Sequence, residues 1–95
     1  METRITIINK LGLHARAAAK IVTLTNNYKS DIQIINGEKI ADAKSIMKLL
    51  MLSATKGTEL TIIAKGDDET SAVKSLVSLI KNKFDENEGD INRDK

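Results

Sequence analysis

One histidine, one arginine and a run of small residues stand together in Gly12-Leu13-His14-Ala15-Arg16-Ala17-Ala18-Ala19, and their spacing suits the handling of a phosphoryl group. A helical pattern opens just after His14. The first N–H groups of such a helix lack intrahelical partners, and together with the helix dipole they form a site for an anion. Ala15 and Ala17 supply backbone donors there, and Arg16 offers a planar fork of charged donors to a phosphate. The alanines build helix without crowding the approach. Gly12 admits an unusual backbone conformation just before the histidine. A neutral imidazole nitrogen can attack an activated phosphoryl group to give a phosphoramidate reactive enough to pass the group on. The helix N-terminus and Arg16 are both expected to stabilise the bound phosphate. A histidine met alone is more often a solvated or hydrogen-bonded side chain. Its place between a glycine, a helix start and an arginine is what gives His14 chemistry.

The rest of the chain must position that stretch. Ninety-five residues with 41% apolar and 29% charged side chains suit one domain with one core. The longest apolar runs are far shorter than a membrane span, and residues 1 to 8 lack the parts of a signal peptide, so a cytoplasmic protein without membrane insertion is expected. The absence of cysteine excludes disulfides, thiolate chemistry and Cys-based zinc sites. A single histidine excludes a multi-His metal site within a monomer, and no metal or cofactor is expected. A formal charge of +2, with Tyr28 and Phe84 as the only aromatic residues, disfavours nucleic acid as a partner.

Arg4-Ile5-Thr6-Ile7-Ile8 alternates as a half-buried strand with Ile5 and Ile7 inward, and Asn9 to Gly12 turns the chain. Ala17, Ile21, Leu24 and Tyr28 recur at helical spacing until the Thr25-Asn26-Asn27 cluster. Asp31-Ile32-Gln33-Ile34-Ile35 alternates again, and Asn36-Gly37 predicts the positive-φ pair of a two-residue hairpin, with Glu38 to Ala41 returning antiparallel. Ser45 to Ala54 reads as a helix with more apolar residues than one face needs. The surplus among Ile46, Met47, Leu50 and Met51 marks either a deeply buried helix or an exposed patch, and methionine-rich exposed patches commonly bind partners. Gly57 suits a turn before a fourth strand, Glu59-Leu60-Thr61-Ile62-Ile63-Ala64, with Leu60, Ile62 and Ala64 inward. Gly66-Asp67-Asp68-Glu69 then caps a helix whose stripe is Val73, Leu76, Val77, Ile80 and Phe84.

The order β-α-β-β-α-β-α with alternating strands implies an α+β open-faced sandwich, a four-stranded antiparallel sheet carrying three helices on one face. The domain is expected to span residues 1 to 85, followed by a polar, disordered tail at residues 86 to 95. The His14 turn comes near the start of the Ser45 helix only if strands one and four are neighbours.

Gly12-Leu13-His14-Ala15-Arg16, followed about thirty residues later by Lys44-Ser45-Ile46-Met47, resembles the histidine-containing phosphocarrier protein HPr of the phosphoenolpyruvate-dependent phosphotransferase system. The resemblance covers roughly residues 1 to 85, including the Asn36-Gly37 turn and Lys56-Gly57-Thr58 before strand four. It implies a monomeric carrier rather than a complete catalyst. Enzyme I phosphorylates the histidine, and an enzyme IIA of a sugar or nitrogen branch receives the group. By the same resemblance His14 is the phosphorylated histidine, Arg16 the phosphate-facing arginine, and Ser45 the serine that a dedicated HPr kinase modifies in many members. Ile46, Met47, Leu50 and Met51, with the basic neighbours Lys20 and Lys48, are the candidate docking surface for acidic partner surfaces. Two positions depart from the pattern. Ala17 stands where most members have proline, and Leu11 stands where several have a small or polar residue. A regulatory binding module built on Ser45 and the Ile46/Met47 patch, or an unrelated α+β interaction domain, would have no need of the nucleophile that this chain retains with Arg16.

Overall fold

Alternation of apolar and polar residues gives the strands one oily face each, and the observed pairing puts those faces together. The structure, a computed structural model, describes residues 1–86. Its elements are β1 (Glu2–Thr6), α1 (Ala15–Thr25), β2 (Asp31–Asn36), β3 (Lys39–Asp42), α2 (Ile46–Leu50), β4 (Glu59–Lys65) and α3 (Glu69–Lys81), followed by a short turn at Lys83–Asp85. The strands form one antiparallel sheet in the order β1-β4-β2-β3, so the first and fourth strands are neighbours. Residues directly opposite each other share a face, and the register pairs Ile5 with Leu60, Ile34 with Ile62 and Ala41, and Ile32 with Ala64. All seven are buried, whereas Glu2, Arg4, Asp31 and Gln33 on the other face are exposed. The sheet therefore has one covered and one wet side.

Helices α1 and α3 supply most of the cover. Helix α1 buries Ala17, Ala18 and Ile21, and α3 buries Ala72, Val73, Leu76 and Ile80. Helix α1 lies beside both α2 and α3. Truncating Ile62, fully buried on the central strand β4, to alanine is expected to cost about 2–5 kcal/mol. No helix among the described residues is long and apolar enough to cross a membrane.

Four local readings need correction. Strand β1 spans Glu2–Thr6 rather than reaching Ile8; Ile7 lies past its end, still buried, with its N–H bonded to Thr58 O at 2.9 Å and its carbonyl accepting from Gly57 N at 2.7 Å. In the hairpin Asn36 pairs with Lys39, so the loop is Gly37-Glu38, not Asn36-Gly37. Only Gly37 of the two has positive φ, at 62°, which is the pattern of a type II′ turn with glycine first. Helix α2 spans Ile46–Leu50 rather than Ser45 to Ala54, and Ser53, at φ 52°, turns the chain out of the helix. Phe84 completes the apolar stripe of α3 but does not belong to that helix. Helix α3 ends at Lys81, and Phe84 is delivered to the core by a turn in which Lys83, Phe84 and Asp85 have φ of 57°, 56° and 61°. Of the polar tail expected from residue 86 onward, Glu86 is described and residues 87–95 lie outside the described residues.

Candidate phosphoryl-transfer site

Helix α1 begins at Ala15 because His14 holds an extended conformation (φ −86°, ψ 179°) as the N-cap and its side chain makes no cap bond. The imidazole therefore does not fold back onto the helix end as a cap. The first intrahelical bond runs from Ala18 N to His14 O at 2.8 Å, which leaves the N–H groups of Ala15, Arg16 and Ala17 ahead of the ladder. Ala15 and Arg16 are exposed, while the Ala17 side chain is fully buried and anchors the first turn in the core. Arg16 makes no hydrogen bond or ion pair among the described residues, so its guanidinium can turn toward an incoming anion.

The turn that presents His14 is held from three sides. Gly12 has φ 68°, Leu13 N–H donates to Ala54 O at 2.8 Å, and the Leu13 side chain is buried. Asn9, fully buried, donates through Nδ2 to Gly12 O at 2.8 Å. The segment Ala54–Thr55 beneath this turn lies just past α2, so α2 and the histidine share one end of the fold. Leu11 is 61% exposed and fills no core position.

A residue assigned no role from the sequence completes the arrangement. The Glu86 carboxylate contacts His14 Nε2, and Asn9 Nδ2 reaches its two oxygens at 3.2 and 3.4 Å. Besides the helix N-terminus, a carboxylate therefore faces the imidazole. Glu86 reads in the sequence as part of a polar tail, since nothing in local periodicity links it to a residue 72 positions earlier. The one available hint was Phe84, an apolar residue two positions before Glu86.

Ser45 caps α2, its Oγ accepting from Lys48 N at 3.2 Å. Of the two readings of the surplus apolar residues, the exposed patch is the observed one. Met47 is 73% and Met51 62% exposed, with Ile46 and Leu50 beside them, while α2 buries only Leu49. Met51 and Lys48 also line a shallow groove of about 410 Å³ with Lys39, Ile40 and Leu52. Lys20 is placed differently from a free docking cation, since its Nζ donates to Phe84 O at 2.7 Å. Among the described residues no group of three or more His, Cys, Asp or Glu side chains is placed to hold a metal ion.

Comparison with known proteins agrees with this geometry. Residues 1–82 match the family model described as the PTS HPr component phosphorylation site. The chain is 52% identical over 85 residues to the phosphocarrier protein HPr of Pseudomonas aeruginosa, covering 88% of this chain and 94% of that one. It is 44% identical over 86 residues to the phosphocarrier protein NPr of Shewanella violacea, covering 90% and 94%. The crystal structure of HPr from Thermoanaerobacter tengcongensis superposes with a TM-score of 0.87 at 43% identity, over 90% of this chain and 97% of the other. An open-faced sheet that carries a histidine phosphorylation site defines a phosphocarrier of the phosphotransferase system. The chain belongs to the HPr family.

Proposed function

We propose that His14 is the phosphoryl acceptor, taking the group from enzyme I and passing it to an enzyme IIA in the cytoplasm. The reading rests on one observation: the only histidine of the chain is the N-cap of α1, at unladdered N–H groups and next to an arginine that makes no hydrogen bond or ion pair among the described residues. Those donors meet the phosphate oxygens, and Arg16 supplies the mobile positive charge. A carrier needs both entry and exit of the group, and a phosphoramidate at an exposed helix end can be approached by either partner. Ile46, Met47, Leu50 and Met51 form the apolar centre of the docking surface, with Lys48 and Lys20 as its basic residues. The apolar residues supply most of the affinity and the basic ones mainly the association rate. Ser45 is a regulatory phosphorylation position beside this patch, where two added negative charges would repel an acidic partner. Incubation of the full chain with enzyme I, phosphoenolpyruvate and Mg²⁺ tests the reading. One acid-labile phosphoryl group per chain is expected, and none on His14→Ala; label on that variant at the wild-type level contradicts it.

A further inference from the structure

We propose that residues 87–91 fold back into the shallow groove between β3 and α2 and compete there with the partner that docks on it. The inference rests on the reading of Met47, Met51 and Lys48 as part of the docking surface, and it adds a regulator of that surface carried by the chain itself.

The groove sets the chemistry of its occupant. Its apolar lining is Ile40, Met51 and Leu52, of which Ile40 is 60% and Met51 62% exposed. Lys39 and Lys48 are its charged lining residues, and neither ammonium group has a hydrogen bond or ion pair among the described residues. Apolar surface beside two unpaired cations favours a short segment that combines acidic side chains with one aliphatic anchor. Residues 87–91 read Asn-Glu-Gly-Asp-Ile, two acids and one isoleucine without a basic residue. Ile91 is the anchor, and Glu88 and Asp90 are the counterparts of Lys39 and Lys48.

The fold starts that segment at the same end of the molecule as the groove. Glu86, the residue before it, is tied to the His14 turn by Asn9, whose Nδ2 donates to the Glu86 carboxylate at 3.2 Å and to Gly12 O at 2.8 Å. Gly12 in turn lies against Ala54, just past Leu52 of the groove. Asn36 Nδ2 donates to Leu52 O at 2.8 Å, which fixes the groove to the β2-β3 hairpin. Five residues of extended chain span about 17 Å, so Ile91 reaches the groove from Glu86 along this short path of contacts. Because the contact is intramolecular, one aliphatic anchor and two exposed ion pairs suffice to occupy the groove for part of the time. A partner must displace the segment, and its apparent affinity is reduced to the fraction of chains in which the groove is open.

The test uses the full chain with ¹³C-methyl methionine and a nitroxide on Asn92→Cys, a unique site because the sequence has no cysteine. The Met47 and Met51 methyl signals are expected to broaden, and the broadening to fall when Ile91→Ser is added. Met1, whose amine bonds Glu69 at the start of α3, is the reference signal that stays sharp. Without the nitroxide, Ile91→Ser is expected to lower the KM for phosphorylated enzyme I about threefold at an unchanged maximal rate, the factor for a groove covered about two-thirds of the time. Broadening of Met47 and Met51 no greater than that of Met1, or broadening that survives Ile91→Ser, overturns the proposal, as does an unchanged KM. Broadening passed from nitroxide-bearing chains to separately ¹³C-labelled chains assigns the groove to a second copy and likewise overturns it. Met47→Asp in the same assay raises KM if the patch docks enzyme I, so failure of the docking reading is seen apart from failure of this one.

Discussion

The backbone of Gly12 lies against Ala54 so closely that a Cβ on residue 12 would stand 2.6 Å from the Ala54 carbonyl oxygen. Leu13 N–H donates to that same oxygen, so the close approach is what seats the His14 turn on the segment after α2. Gly12→Ala meets both the clash and a φ of 68°, and it is expected to destabilise the fold by about 2 kcal/mol or more. Urea denaturation measures this, and an unchanged midpoint would show that the turn can move aside.

Met47 is expected to be dispensable for folding and important for docking. It is 73% exposed, so Met47→Asp should shift stability by no more than about 0.5 kcal/mol. An aspartate at the centre of an apolar patch should still weaken binding to enzyme I by roughly tenfold or more. Calorimetric titration decides between a docking residue and an idle surface, since only the first predicts a loss.

Substitution can separate the cap that Ser45 provides from the regulatory role proposed for it. Ser45→Ala removes the cap to Lys48 N and should cost about 1 kcal/mol of stability with transfer to His14 retained. Ser45→Asp can keep the cap and adds negative charge beside Ile46 and Met47, so transfer from enzyme I should slow while helicity stays near wild type. Equal transfer rates in two equally folded variants would leave Ser45 as a cap alone.

Acid stability should report on Asp68. Its carboxylate takes hydrogen bonds from the Ser30 hydroxyl first, then from the N–H groups of Lys29 and Ser30, and these hold it below the ordinary value of 3.8. A depressed folded-state pKa contributes stability that is fully present above the unfolded value and is lost as pH falls through the folded value. Asp68→Asn should therefore be less stable than wild type at neutral pH, with the gap narrowing only below about pH 4. A gap that stays constant from pH 7 to pH 2 would show that the charge on Asp68 contributes nothing.

Much of this was legible in the sequence because it depends on local periodicity. Period-two runs placed Ile5, Ile34 and Ile62 on one face, and the small residues after His14 marked the start of α1 at Ala15, where it begins. What escaped depends on tertiary context. Phe84 continues the spacing of α3, yet Asn82 ends the helix and a left-handed turn brings the ring to the core. Glu86 looked like part of a solvated tail, since its partners Asn9 and His14 are distant in sequence and no pattern of neighbours encodes that meeting. The Gly37-Glu38 turn was missed by one residue because Asn-Gly favours a type I′ loop, while pairing of Asn36 with Lys39 fixes the loop one position on.

Phosphorus–proton correlated NMR of the full chain, phosphorylated by enzyme I and phosphoenolpyruvate and kept at alkaline pH, tests the central claim most directly. The account predicts one phosphoramidate resonance, correlated with the ring protons of His14, and its loss on acidification. A phosphorus signal on any other residue, or a chain that takes up no phosphoryl group while remaining folded, would contradict it.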